Sequence, residues 1–182
     1  MWTLHFQYCN GVIVRNTQVF NANNGSIEAP NGDGIDVHSS RNVYVHDSIF
    51  DVGDDALCCK SGADYLGREV GIPTRDVVFE RVEVRNGHGL TLGSEASGGM
   101  INITFSTPSH LRLRAHLSRL SEIAAATGSI FINGRGGPQA PGLRKRPGGV
   151  GSIHFKTGRG RGGLWENITW SAPSVSVAVV AL

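Results

Sequence analysis

Short segments of alternating apolar and polar residues recur along this chain, and each is followed by a longer segment rich in β-branched and aromatic residues. The short segments read GIDVHSS, ALCCKSG, GLTLGSE and SIHFKTG, and the longer ones include NVYVHDSIF, DVVFERVEV and ENITW. The leading apolar residues of the short segments are Ile35, Leu57, Leu90 and Ile153. Self-similarity of this kind, at a period of about 20–50 residues, indicates a solenoid whose coils each add one strand to each of several parallel sheets.

The fold class that follows is all-β, as a parallel β-helix. Glycine, asparagine and aspartate stand at the joints between the segments, and helical periodicity is nearly absent. A β-sandwich is the alternative, but it would require two-residue hairpin turns, which are not prominent. No segment approaches the roughly 18 apolar residues of a membrane span, and the opening MWTLHFQYCNGVIV has no signal-peptide pattern. We therefore expect no membrane partner.

The net charge of +2 is unevenly distributed. Residues 106–149 hold seven basic residues and one acidic residue, whereas the other 138 residues hold 10 basic and 14 acidic residues. The basic character therefore belongs to one segment and gives little reason to expect a nucleic-acid partner.

The repeats place acidic residues side by side. Equivalent residues of successive coils stack about 4.8 Å apart. Two residues before the leading apolar positions, the aligned segments carry Asp33, Asp55 and His88, with Asp54 directly before Asp55. We expect these four side chains to meet at one edge of a sheet, with cationic residues in a neighbouring column that includes Lys156.

Clustered carboxylates suit glycoside hydrolysis. Crowding or burial raises the pKa of at least one carboxyl group, so that a protonated acid lies beside an ionised base. One of the two groups protonates the leaving oxygen and the other activates water or attacks the sugar. Adjacent cations would bind a sugar that carries a carboxylate. Two alternatives remain open on the residues alone: aspartates that cap turns, and a calcium site.

Four ordered motifs resemble those of the polygalacturonase family, glycoside hydrolase family 28. They are NGDGID (31–36), GDDALCCKSG (53–62), GHGLTLGSEASGG (87–99) and SIHFKTGRGRGG (152–163). The family's motifs read approximately NTDGID, GDDCIAIKSG, GHG and RIK. The resemblance covers about residues 2–105 and 152–170, and it implies a right-handed parallel β-helix.

The resemblance also implies roles for individual residues. Asp54 would be the general acid, Asp33 and Asp55 would hold and activate the hydrolytic water with inversion of configuration, and His88 would tune the acids. Lys156 would bind the galacturonate carboxylate.

Two further residues would assist in substrate binding. Asn31 would orient its loop, and His154 stands where the family has arginine. Imidazole lacks the bidentate fork of guanidinium, so we expect weaker binding of a carboxylate. The resemblance implies no metal and no other cofactor.

The implied activity is cleavage of α-1,4 linkages between galacturonate units of pectin, by a secreted or cell-wall monomer. A rhamnogalacturonan or xylogalacturonan hydrolase is an alternative within the family. A non-catalytic carbohydrate-binding or structural β-helix is the alternative outside the enzymes, and the substituted arginine and the segment described next favour it.

The sequence divides into three parts. Residues 1–105 are expected to form coils with the first three motifs, and residues 150–182 to return to the β-helix. Between them, residues 106–149 form a basic insert rich in Gly, Pro and Arg, which we expect to be disordered. Leucines at helical spacing in its first half indicate an amphipathic helix as the alternative. We also expect the β-helix to be incomplete at both ends.

Overall fold

Each coil contributes a short strand to one sheet and a longer strand to a second. The computed structural model describes residues 2–21, 30–106, 113–117, 130–134, 152–156, 164–172 and 175–179. In these residues the first sheet contains, in spatial order, β1 (Leu4–Gln7), β4 (Ile35–His38), β6 (Leu57–Lys60), β8 (Leu90–Leu92), β12 (Ser152–Phe155), β11 (Ile130–Gly134) and β14 (Val175–Val179). The second contains β10 (Leu113–Leu117), β13 (Trp165–Ala172), β9 (Met100–Ser106), β7 (Thr74–Asn86), β5 (Arg41–Asp51) and β2 (Asn10–Arg15), and β3 (Gln18–Phe20) also pairs with β5. The helix α1 (Asp64–Val70) connects β6 to β7.

The register of the first sheet confirms the predicted columns. β1, β4, β6, β8 and β12 are parallel, and the leading apolar residues Ile35, Leu57, Leu90 and Ile153 stand opposite one another. Because side chains alternate between the two faces of a strand, this register sends one set of residues inward in every coil. The fold is a parallel β-helix, as the repeats predict.

The core lies between the two sheets. The stacked rings of Phe79 and Phe105 have centroids 4.9 Å apart, and Phe50 and Trp165 are buried beside them. Cys59 belongs to this core, whereas its neighbour Cys58 is buried against polar groups on the other face of the first sheet. The described thiols are free, and the opposite orientations follow from the two-residue period of the strand.

Asparagine and aspartate form a column where the second sheet begins. In this column Asn42, Asp76, Asn102 and Asn167 have φ values of 55°, 55°, 54° and 53°. These two residue types tolerate the left-handed region because their short polar side chains bond locally. Asn102 donates to Asp76 and Asn167 donates to Asn102, both at 3.0 Å. The column therefore turns the chain at the same place in successive coils.

The insert predicted at 106–149 is described only in part. β10 pairs with β13 and β11 pairs with β12, in both cases antiparallel. Residues 113–117 thus form a strand rather than the helix that the leucine spacing indicates, because backbone pairing with the edge of β13 replaces local periodicity. The remaining insert residues from 107 onward lie outside the described residues, and the predicted domain boundaries stay predictions.

Among the described residues, no helix has the length and apolarity needed to cross a membrane.

Candidate active site

The turns that precede β4, β6 and β8 hold the predicted acidic cluster. Main-chain hydrogen bonds fix each turn to the next: the Gly34 amide donates to Asp55 at 2.8 Å and the His88 amide donates to Asp54 at 2.8 Å. These bonds continue the parallel ladder beyond the strands. The four predicted residues therefore lie at one edge of the first sheet.

Two glycines allow the turns to approach so closely. A Cβ atom at Gly34 would lie 2.5 Å from the carbonyl oxygen of Ala56, and one at Gly87 would lie 2.4 Å from that of Asp54. Gly87 also has a φ of +111°, which residues with a Cβ atom rarely adopt. Any side chain at either position would push the acidic turns apart.

Asp54 and His88 form a hydrogen-bonded pair at the surface of the cluster. Nδ1 of His88 lies 2.9 Å from Asp54 Oδ1 and 3.5 Å from Asp55 Oδ1. Hydrogen bonds to both carboxylates raise the pKa of His88 to about 9. The hydrogen bond from His88 in turn lowers the pKa of Asp54. At neutral pH the pair therefore holds one proton, and the imidazole carries it.

Asp55 is paired with the predicted substrate-binding lysine. Nζ of Lys156 lies 2.7 Å from both carboxylate oxygens of Asp55, whose side chain is 4 % exposed. Burial alone would raise the pKa of Asp55. The His88 hydrogen bond and the Lys156 charge outweigh burial and hold this pKa well below its ordinary value.

A second, buried cation lies on the other side of the acids. Lys60 Nζ donates to Glu95 Oε2 at 3.0 Å and lies 3.5 Å from Asp36 Oδ1 and 3.7 Å from Asp33 Oδ2. The same Nζ lies 4.6 Å from the centroid of a ring of Trp2, a cation–π contact. Lys60 thus joins carboxylates of two coils, since Asp33 and Asp36 belong to the coil of β4 and Glu95 follows β8.

For Asp33 and Asp36, burial outweighs the charge of Lys60. It raises the pKa of Asp33 to about 6 and, together with the charge of Asp33, raises that of Asp36 to about 8. Asp36 is fully buried, and neither of its carboxylate oxygens makes a hydrogen bond. Glu95 differs because Lys60 outweighs its burial and lowers its pKa to about 2. Between pH 6 and 8, Asp33 is therefore ionised and Asp36 protonated.

Replacing Asp36 by asparagine is expected to stabilise the fold increasingly as the pH rises. The pKa of Asp36 is about 8 in the folded chain against an ordinary 3.8, so between these values the unfolded chain loses a proton that the folded chain keeps. The stability that depends on a neutral Asp36 is fully present below pH 3.8 and is lost as the pH rises through 8. Asparagine mimics the neutral acid and removes this loss.

Urea unfolding at pH 5 and pH 8 measures the effect. The free energy of unfolding should fall less between the two pH values in Asp36→Asn than in the parent, whereas Asp47→Asn, on the exposed second sheet, should leave the difference unchanged. An equal fall in the parent and in Asp36→Asn would show that Asp36 is ionised in the folded chain at neutral pH.

The other predicted residues lie nearby or are described less fully. Asn31 is exposed, in the turn before β4, with a φ of 52°. His154 lies in β12 opposite Thr91, directly beside the predicted column. Lys60, Asp36 and Glu95 also belong to the site, although the sequence motifs that contain them do not predict this role. Their burial could not be predicted from the sequence, because these side chains point away from the core and are buried only by packing against one another.

Two groups of side chains have the composition of metal ligands. Asp33, Asp55 and Cys58 form one, and Asp54, Asp55 and His88 the other, with the possible ligand atoms of each group within 4.8 Å of one another. Asp55 belongs to both, and the ammonium group of Lys156 already contacts both of its oxygens. A divalent cation would have to displace that lysine.

The fold and the site define a parallel β-helix that carries a carboxylate and imidazole cluster on the edge of one sheet. The chain belongs to glycosyl hydrolases family 28, whose family model matches residues 1–130. This match confirms the resemblance on the first three motifs, and the fourth lies beyond it. The family is one of enzymes.

Similar proteins include a probable polygalacturonase of Vitis vinifera, 27% identical over 65% of this chain and 25% of the relative. An exo-poly-alpha-D-galacturonosidase of Dickeya chrysanthemi is 34% identical over 47% of this chain and 13% of the relative. A crystal structure of a hyperthermoactive exopolygalacturonase from Thermotoga maritima has 35% identity and a TM-score of 0.49, over 61% of this chain and 24% of that one. The chain spans about a quarter of the length of these relatives, or less.

Proposed function

We propose that this chain carries the hydrolytic site of a polygalacturonase, which cleaves α-1,4 bonds between galacturonate units of pectin. The observation that carries the proposal is the contact of His88 with Asp54 and Asp55 next to the cation Lys156. Membership of the family and the printed names of the relatives support the same substrate class. Pectin is a polymer of the plant cell wall. The proposal therefore includes that the protein is secreted and acts outside the cell, as a monomer.

The Asp54–His88 pair supplies the proton in this mechanism. The side chain of Asp54 is 24% exposed, whereas that of Asp55 is 4% exposed, so Asp54 is the carboxyl group that reaches the glycosidic oxygen. As the bond to C1 breaks, the proton held by His88 passes through Asp54 to this oxygen, which leaves His88 neutral and Asp54 ionised. Because the pKa of His88 is about 9, the pair remains protonated at neutral pH.

Asp33 is the base that accepts the proton from water. Its pKa of about 6 makes it both ionised at neutral pH and a stronger base than Asp55, whose pKa is held low. Asp55 orients the water. The water oxygen bonds to C1, one water proton passes to Asp33, and the products are two shorter chains.

Inversion at C1 is part of the proposal. Oxygens of Asp54 and Asp55 approach within 4.8 Å, and close carboxylates are typical of retaining enzymes. However, Lys156 Nζ lies 2.7 Å from both oxygens of Asp55 and lowers its pKa, which makes this carboxylate a weak nucleophile but leaves lone pairs that can accept from water. This pairing favours a carboxylate that holds water.

The galacturonate carboxylate binds Lys156 alongside Asp55. The side chain of Lys156 is 27% exposed and can therefore contact both carboxylates. His154 is proposed as a second substrate-binding residue because it lies in β12, which ends directly before Lys156. A free carboxylate on the sugar is thus required for tight binding, and a methyl ester lacks the charge.

The test is hydrolysis of polygalacturonate by the purified chain, followed by reducing-sugar release and by NMR of the first anomer formed. We expect release from polygalacturonate, little release from the fully methyl-esterified polymer, and inverted product. The variant Asp33→Asn/Asp55→Asn is the inactive control. A product with retained configuration at C1 would contradict the role of Asp55 as the residue that holds water. A folded chain that releases no reducing sugar would contradict the proposal that it is a hydrolase.

A non-catalytic carbohydrate-binding β-helix is the second candidate. The observation that favours it is the Lys156–Asp55 ion pair, which occupies the water-holding carboxylate. Binding of polygalacturonate without release of reducing sugar would support this candidate over the hydrolase.

A further inference from the structure

A pocket lies at the other edge of the first sheet, opposite the acidic turns. It has a volume of about 250 Å³ and lies where β1 and β4 end and the second sheet begins. Tyr8, Ser39, Arg41, Ile72 and Arg75 are among the residues that line it. The pocket shares no residue with the acidic cluster.

Two arginines give the pocket its charge. Arg41 begins β5 and stands opposite Arg75 of β7, so they occupy equivalent positions on adjacent coils, about 4.8 Å apart along the ladder. Both side chains are exposed, and Arg75 Nε has only a 3.5 Å contact with its neighbour Asp76. Among the described residues, Arg41 makes no ion pair. Two arginines at adjacent ladder positions that line the same pocket favour an anionic ligand.

The rest of the lining is apolar and aromatic. Tyr8 is 57% exposed and Ile72 is 43% exposed, so both offer apolar surface beside the two arginines. Tyr8 is fixed in place by a hydrogen bond from its amide to the carbonyl oxygen of His38 at 3.1 Å. Its ring offers a flat apolar surface with a polar tip. A flat surface beside paired cations matches a ring that has an apolar face and bears a carboxylate.

We propose that this pocket binds a uronate unit of a polysaccharide, separately from the catalytic groove. The guanidinium groups of Arg41 and Arg75 donate to the sugar carboxylate, and the sugar ring lies against Tyr8. The volume of about 250 Å³ suits one sugar unit rather than an extended chain, since pockets that bury drug-sized ligands are typically about 300–1,000 Å³. The choice of a uronate rests on the proposed function.

A second contact with the same polymer would raise the local concentration of substrate. Binding at the pocket makes binding at the groove intramolecular, which strengthens the attachment to a long chain without changing the groove itself. Short substrates that cannot reach both sites would not benefit. The pocket would therefore affect KM for polymers and not kcat for oligomers.

The test uses the full chain with Asp54→Asn, which prevents cleavage, and digalacturonate as the probe in calorimetry and NMR. We expect two binding sites in this parent and one after Arg41→Gln/Arg75→Gln, with the lost site weakened about 10-fold or more. Arg85→Gln is the matched control, because Arg85 is an exposed arginine of β7 paired with Glu83. Digalactose, which carries no carboxylate, should not bind at the pocket of Arg41 and Arg75.

Tyr8→Ala provides a second variant if the double variant is poorly folded. It should weaken the same site and move NMR signals near Arg41. One site in the parent, unchanged stoichiometry in the double variant, or equal loss in Arg85→Gln would overturn the inference. If the chain that keeps Asp54 does not hydrolyse polygalacturonate while the Asp54→Asn chain binds the probe at the pocket, the proposed hydrolase is refuted and the pocket is retained.

Discussion

Asp54→Asn is expected to lower kcat/KM for polygalacturonate by about 10³-fold, because proton transfer by a positioned acid contributes about 10²–10⁴-fold. The amide oxygen of asparagine still accepts the hydrogen bond from His88 Nδ1, now 2.9 Å from Asp54, so the turn should keep its shape. What is lost is the carboxyl group that passes the His88 proton to the leaving oxygen. The loss should appear in kcat, with little change in KM.

The control for Asp54→Asn is Asp47→Asn. Asp47 is exposed on the second sheet, where it pairs with Arg81 at 2.7 Å, so its replacement should leave hydrolysis unchanged. Thermal unfolding of both variants tests whether the fold is kept. Activity within about 10-fold of the parent in a folded Asp54→Asn would assign the acid to another group, and His88 would be the next to test.

The repeats predict the architecture well because parallel coils convert sequence spacing directly into neighbours. The columns headed by Ile35 and by Asp33 are found in the observed register and turn contacts. Sequence spacing alone is enough for this, since a shift of one residue would expose every core side chain. The repeat spacing could not predict the strand at 113–117, because this strand pairs antiparallel with β13 and lies outside the repeat.

The ionisation of the site was less predictable than its composition. Crowding predicts that at least one carboxyl pKa rises, and the structure raises those of Asp33 and Asp36 while lowering that of Asp54. The difference arises because burial outweighs the Lys60 charge at Asp33 and Asp36, whereas the hydrogen bond from His88 outweighs burial at Asp54. Columns place backbones, but the contact between Lys60 and Glu95 depends on a long side chain that crosses coils.

In the proposed mechanism, Lys60 acts on the base Asp33 through its charge. Its charge is one of the influences on the pKa of Asp33, where it opposes burial and keeps the base ionised near neutral pH. Among the described residues, Lys60 has no contact with Asp54 or His88. It is a positioning residue that acts through Asp33.

Lys60→Met is expected to cost about 3–5 kcal/mol in the free energy of unfolding, since removal of one partner leaves buried charges uncompensated. Methionine is apolar and adaptable enough to fill the space, so the cost reflects charge rather than a cavity. The pKa of Asp33 should rise above about 6 because burial then acts without the opposing cation. Asp33 must be ionised to accept the water proton, so the acidic limb of the pH profile should move to higher pH.

Urea unfolding and the pH dependence of kcat/KM separate these two effects, with Arg85→Met as the exposed control. In Lys60→Met/Glu95→Gln, part of the lost stability should return, because Glu95 no longer carries an unpaired charge 3.0 Å from the former ammonium group. The shifted acidic limb should remain, since Asp33 still lacks its cation. If the limb stays near pH 6 in both variants, Lys60 supports the fold without setting the ionisation of the base, and Asp33 must owe its pKa to burial and to the neighbouring acids alone.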